Sequence, residues 1–152
     1  MAESQGLNAS AMILESLRGL VVTSLNHFAE DAWDLNFNFH AADLNTYCSW
    51  RLVGNGLVLL GGSDHGQKFG LPEPVDVMAE ALRLLNGKAV EEASIDETTA
   101  DLRIDFAGDM RVDVFNDSGA HEGWTFADKR GLKIVAQGGG QKAIWKPIAP
   151  KP

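Results

Sequence analysis

Polar and apolar residues alternate strictly at two places along this chain. Leu35, Phe37 and Phe39 alternate with Asn36 and Asn38, and Leu102, Ile104 and Phe106 alternate with Arg103 and Asp105. A period of two sends one set of side chains into a core and the other into water, as in antiparallel strands with one wet face. A helical period also appears twice. Met12, Ile13 and Leu17 share one face of a helix over Asn8–Leu17, with Leu14 beside them, Asn8 or Ser10 as the cap and Gly19 as the stop. Val77, Met78, Ala81, Leu82 and Leu85 form the stripe of a second helix, opened by Val75 or Asp76 behind Pro72 and Pro74 and closed by Asn86-Gly87.

Strands are predicted after each helix. The first set covers 20–28, 33–40, 44–52 and 57–61, and the second 88–95, 100–107, 110–116, 122–127, 132–137 and 142–146. Around Gly108 a three-residue loop, Gly108-Asp109-Met110, keeps apolar residues opposite apolar ones. It pairs Phe106 with Val112 and Ile104 with Val114, and sets Asp105 opposite Asp113. Gly138-Gly139-Gly140 precedes a strand rather than a helix, so it predicts a tight hairpin or bulge and not a phosphate cradle.

The chain also repeats itself. Leu17-Arg18-Gly19-Leu20-Val21-Val22 returns as Leu85-Asn86-Gly87-Lys88-Ala89-Val90, and the Asp34–Phe39 block returns as Asp101–Phe106. Tyr47-Cys48-Ser49-Trp50 parallels His121-Glu122-Gly123-Trp124. The expected fold is therefore α+β, a single domain over 1–152 built of two pseudo-repeated helix plus antiparallel-sheet units. The repeats cover 8–70 and 71–146, and the proline-rich 147–152 forms a flexible tail.

Composition narrows the class. The chain has 152 residues, 45% of them hydrophobic, and one cysteine, Cys48, which excludes an internal disulfide. With no apolar run long enough to span a bilayer and no secretory pattern at Met1–Gly6, the expectation is a cytoplasmic protein without a membrane partner. The net charge is −8, shared evenly by the two halves. Phosphate backbones repel such a surface, so no nucleic acid partner is expected, whereas a basic protein partner suits it.

No strong catalytic or metal motif is present. Asp64-His65 lies in Gly61-Gly62-Ser63-Asp64-His65-Gly66-Gln67, a composition that offers an acid–base pair. Adjacent residues rarely aim side chains at one another, and there is no G-x-S-x-G elbow, so a turn or interface role is favoured. The four histidines lack H-x-x-x-H spacing, and the five aspartates from Asp101 to Asp117 are broken by a hairpin, so neither metal nor cofactor is expected. Cys48 reads as a buried inert thiol. Of the four tryptophans, Trp50 and Trp124 occupy equivalent strand positions. They anchor matching cores or line a cleft between the repeats.

The segment Asp101-Leu102-Arg103-Ile104-Asp105-Phe106, His121-Glu122-Gly123-Trp124, Gly138-Gly139 and Trp145 resembles small bacterial domains of uncharacterised function. Their pattern runs D-L-x-I-x-F, E-x-W, G-G and W, with His121 here in place of an aromatic residue. Some similar acidic domains are immunity proteins that neutralise toxins, so the resemblance implies an interaction role and assigns no catalytic residue. Two functions follow as expectations. The first is a non-enzymatic protein-interaction module, of inhibitor or immunity type, with a protein partner or self-association as a homodimer. The second is a small-molecule binder or enzyme with a cleft between the repeats. Trp50, Asp64, His65, His121, Glu122 and Trp124 are the candidate ligand or partner residues.

Overall fold

The computed structural model describes residues 8–26 and 34–147. His27, Phe28, Trp33 and the tail from 148 onward lie outside the described residues. The fold is α+β and mostly sheet. Helix α1 covers Ala9–Leu17 and α2 covers Val77–Leu85. The described residues form eleven strands, in chain order β1 Ser24–Asn26, β2 Leu35–Asn38, β3 Ala42–Thr46, β4 Ser49–Gly54, β5 Leu57–Gly61, β6 Val90–Ile95, β7 Leu102–Phe106, β8 Met110–Phe115, β9 Trp124–Asp128, β10 Lys133–Ala136 and β11 Lys142–Trp145. They form a six-stranded sheet ordered β1-β2-β3-β9-β10-β11 and a five-stranded sheet ordered β5-β4-β8-β7-β6, with every pair antiparallel.

Each sheet draws strands from both halves of the chain, so the halves do not each close a sheet of their own. The chain changes sheet twice, at Tyr47-Cys48 between β3 and β4 and at 116–123 between β8 and β9. The two crossings touch. Tyr47 donates its N–H to Gly123 O at 2.7 Å, and Ser49 Oγ donates to Asp117 at 2.9 Å. The strand expected at 44–52 is therefore two strands in different sheets, and of the strand expected at 20–28 the described residues 20–26 pair in a ladder at β1, with a bridge from Val21 to Ala89.

Inward side chains from both sheets and both helices meet in one apolar core. Two cross-strand rows run through it. One is Leu25–Phe37–Leu44–Phe126–Ile134–Ile144, and the other is Ala93–Ile104–Val112–Leu52–Leu60. The helices close the core where capping predicts. Asn8 Oδ1 accepts from Ala11 N–H and Asp76 Oδ1 from Ala79 N–H. Ser10 Oγ exchanges bonds with the Ile95 backbone at 3.1 and 2.7 Å, which pins α1 to β6.

The β7–β8 hairpin differs from its expected register by two residues. Phe106 faces Met110 and Ile104 faces Val112 across the loop Ala107-Gly108-Asp109, where Gly108 and Asp109 have positive φ. A shift of two keeps every apolar side chain on the same face, so hydrophobicity cannot choose between the two registers. Charge does: Asp105 now faces Arg111 and Arg103 faces Asp113, instead of Asp105 facing Asp113.

Candidate interaction surface at the edge of the five-stranded sheet

The sequence from Gly54 to Gly61 makes an edge. Asn55-Gly56, with φ of 52° and 77°, forms a two-residue hairpin turn of the kind that matches the twist of its flanking strands. It sends β5 back along β4, and β5 is the last strand of its sheet. Between Leu52 and Val53 the pairing slips by one residue, so Leu59 is the extra residue of a bulge. Leu57 is 65% exposed and Val58 62%, and Leu59 is exposed as well.

The segment that follows builds a wall beside this edge. Gly62–Asp64 form a 3-10 turn packed over Trp50, where a Cβ on Gly62 would meet the indole Nε1 at 2.8 Å. Asp64 Oδ2 accepts from Gly61 N–H at 2.9 Å, and His65 Nδ1 accepts from Val77 N–H at 3.2 Å, at the start of α2. Gly66 and Gln67 pair with Val75 through two backbone bonds. Held at both ends, the loop turns outward and presents Phe69, 68% exposed with φ of 48°, and Leu71. Leu59, Phe69, Leu71 and Val75 line a groove of about 580 Å³ between β5 and α2. Asp64, Glu73 and Asp76 stand on its rim, while Glu80 is paired with Arg83 at 2.6 Å. Lys68 is the one cation between Gly62 and Asp76. An exposed apolar patch with a polar rim is a form that interaction surfaces and ligand grooves share.

The other sequence candidates fall elsewhere. Trp50 and Trp124 are buried in the core. Trp50 meets Phe37 edge-on at 6.1 Å, and Trp124 Nε1 donates to Ala100 O at 2.8 Å. Their placement favours core anchors over a cleft lining. His121 and Glu122 are exposed in the second crossing, next to a turn in which Ser118 Oγ accepts from the Ala120 and His121 N–H groups. They do not line the groove. Of the six, Asp64 alone lines it, and His65 holds the loop beside it through Val77. Sequence reading passed over Leu57, Val58, Leu59, Phe69 and Leu71, although Asn55-Gly56 signals a hairpin ahead of them.

The outer face of the five-stranded sheet carries a charge grid. Asp113 accepts from Arg51 at 2.8 Å and from Arg111 at 2.9 Å, Arg103 pairs with Asp105, and the Arg51 guanidinium lies 5.0 Å from the Phe115 ring centre. Arg51–Asp113 joins β4 to β8, and the other two pairs lie within β8 and β7. Among the described residues, no group of three or more His, Cys, Asp or Glu is placed to hold a metal. No helix there is long and apolar enough to cross a membrane.

Cys48 sits at the first crossing, buried. Burial, followed by the charges of Asp117 and Asp101, pushes its thiol from 9.0 up to about 12. At pH 8 this leaves about a thousandfold less thiolate than an ordinary cysteine carries. A disulfide reagent is expected to label the folded protein at least that much more slowly than the urea-unfolded chain; rapid labelling of the folded chain would contradict the burial. The sign for stability follows. Between about pH 9 and 12 the unfolded thiol ionises and the folded one does not, so this group lowers stability as pH rises through that window.

A family model described as "Family of unknown function (DUF6188)" matches residues 40–146. No curated protein and no solved structure matches the chain.

Proposed function

The chain belongs to the DUF6188 family, a family of unknown function, and we propose that it is a non-enzymatic protein-interaction module whose docking surface is the β5 edge and the adjoining groove. The observation that carries this reading is the run Leu57-Val58-Leu59, exposed on an edge strand and continued by Phe69 and Leu71. A partner with a basic rim around an apolar centre fits the acidic border and the net charge of −8. An inhibitor or immunity-type role in the cytosol is consistent with that chemistry and with a single buried thiol. The alternative of a ligand cleft finds less support. Trp50 and Trp124 are core residues, and Asp64 and His65 hold a turn.

The same reading takes 8–70 and 71–146 as repeats whose strands are exchanged between the sheets. Register supports it. Replacing β1 to β5 by β6 to β10, and the reverse, turns the order β1-β2-β3-β9-β10 into β6-β7-β8-β4-β5. Phe37 opposite Leu44 becomes Ile104 opposite Val112, Thr46 opposite Trp124 becomes Val114 opposite Trp50, and Phe126 opposite Ile134 becomes Leu52 opposite Leu60. The bridge from Val21 to Ala89 joins equivalent positions. Under this correspondence β5 and β10 occupy the same place in their sheets.

The test is substitution on the exposed edge. Val58→Lys puts a charge where native edge strands often carry one, and the residue is already in water. It is expected to leave the melting temperature within about 2 °C of wild type and to abolish co-purification of the partner. A partner retained by a normally folded Val58→Lys protein would remove the function from this surface.

A further inference from the structure

We infer that the outer edge of β5 receives an extended strand from a partner protein, antiparallel to β5, apolar at its centre and carrying Lys or Arg at both ends. The inference rests on the interaction-module reading above and gives that partner its chemistry.

The two sheets end differently at their matched places. β10 is paired on both sides, with β9 and with β11. Among the described residues β5 is paired on one side alone, with β4. The core row of the six-stranded sheet therefore has six members and ends on Ile144 of β11, while the row of the five-stranded sheet stops at Leu60. Among the described residues, one strand of the first sheet has no counterpart in the second. An edge strand offers a row of unpaired N–H and C=O groups, and strand addition is a recurrent way for a protein to bind an extended peptide.

The edge of β5 carries few defences against such pairing. Leu57-Val58-Leu59-Leu60-Gly61 contains no lysine, no proline and no acidic residue, and the bulge at Leu59 is its one irregularity. The strand that fills the matching place supplies a template for the occupant. Lys142-Ala143-Ile144-Trp145-Lys146 has an apolar centre and a lysine at each end, and it runs antiparallel to β10. Beside β5 the groove carries Asp64, Glu73 and Asp76 beyond the Glu80–Arg83 pair, with Lys68 in the adjoining loop, so basic ends on the incoming strand meet a net opposite charge. Charge also argues against a second copy of this chain. A two-fold contact through β5 brings two acidic borders and two chains of charge −8 together.

The experiment is amide hydrogen exchange on the full chain with a synthetic acetylated peptide of sequence 141–147, Gln-Lys-Ala-Ile-Trp-Lys-Pro. The expected result is slowing of the exposed-edge amides within Leu57–Leu60 by about tenfold or more at millimolar peptide, with β1 unaffected. A peptide bearing Lys142→Glu and Lys146→Glu is expected to give no protection, and Val58→Lys protein none with either peptide. Absence of protection, equal protection by the acidic peptide, or protection that grows with protein concentration alone (a second copy pairing through β5) would overturn the inference. The two readings separate cleanly. If the peptide leaves β5 unprotected while Val58→Lys still loses its co-purified partner, strand addition falls and the interaction surface stands. If Val58→Lys keeps its partner, the interaction reading at this surface falls too.

Discussion

Trp124→Ala is expected to lower the unfolding free energy by about 3–5 kcal/mol, a large share of the 5–15 kcal/mol that holds a domain of this size together. Trp124 is fully buried, and it stands at the start of β9, between Thr46 of β3 and Ala136 of β10. Its ring therefore lies where the chain re-enters the six-stranded sheet. Its Nε1 donates to the carbonyl of Ala100, a buried residue at φ of 64° just before β7. One side chain thus ties the start of a strand in one sheet to the start of a strand in the other. Trp124→Phe separates the two contributions. It keeps most of the ring and strands the Ala100 carbonyl, for an expected loss of roughly 1–3 kcal/mol. Urea denaturation measures both. A loss below about 1 kcal/mol for Trp124→Ala would show that the core collapses around the gap and that this anchor is dispensable.

Gly140→Ala is expected to cost roughly 2–4 kcal/mol, for two reasons that act together. Gly140 has φ of 94°, which side chains rarely tolerate, and its Cβ would lie 2.1 Å from Thr98 O and 3.0 Å from Thr99 Cα. Both obstacles are backbone and cannot rotate aside. They belong to the 96–101 loop, which has its own lock. Asp96 accepts the Thr98 and Thr99 N–H groups at 2.9 Å each, and those bonds hold its carboxyl below the usual range. Displacing Gly140 loosens the turn that delivers β11 to β10, so a second expected outcome is an exposed β10 edge and more self-association. Gly119→Ala is the control, with open space around the new methyl group and an expected change within about 0.5 kcal/mol. Equal stability of the two variants would show that the Gly140 turn has room to move.

Much of this fold can be read from residue order, and the parts that cannot have physical reasons. Both helices, their caps at Asn8 and Asp76 and the alternation in β2 and β7 follow from local pattern. The break at Tyr47-Cys48 does not. Leu44, Thr46, Cys48, Trp50 and Leu52 are all buried, so inward parity runs unbroken through the crossing. A strand that leaves one sheet for another around a shared core keeps the same side chains inward, and periodicity cannot register the change. The β7–β8 register was decided by charges facing across the strands, because a slip of two leaves the apolar pattern intact. At the candidate surface, Asp64-His65 stood out as composition, and the structure gives it the task of shaping the loop that carries Phe69. The exposure of β5 was hidden. Four consecutive apolar residues, Leu57 to Leu60, show no alternation that would mark a wet face, yet at the end of the sheet three of them stand in water.

A partner docked on β5 is lost when that strand is charged, and native mass spectrometry of wild type and Val58→Lys, purified side by side from the same host at low salt, reads the loss. The expected spectra are a defined heteromeric mass for wild type and the bare 16.4 kDa chain for a Val58→Lys protein that melts as wild type does. The same heteromeric mass in both samples, or the bare chain in both, would contradict docking on β5.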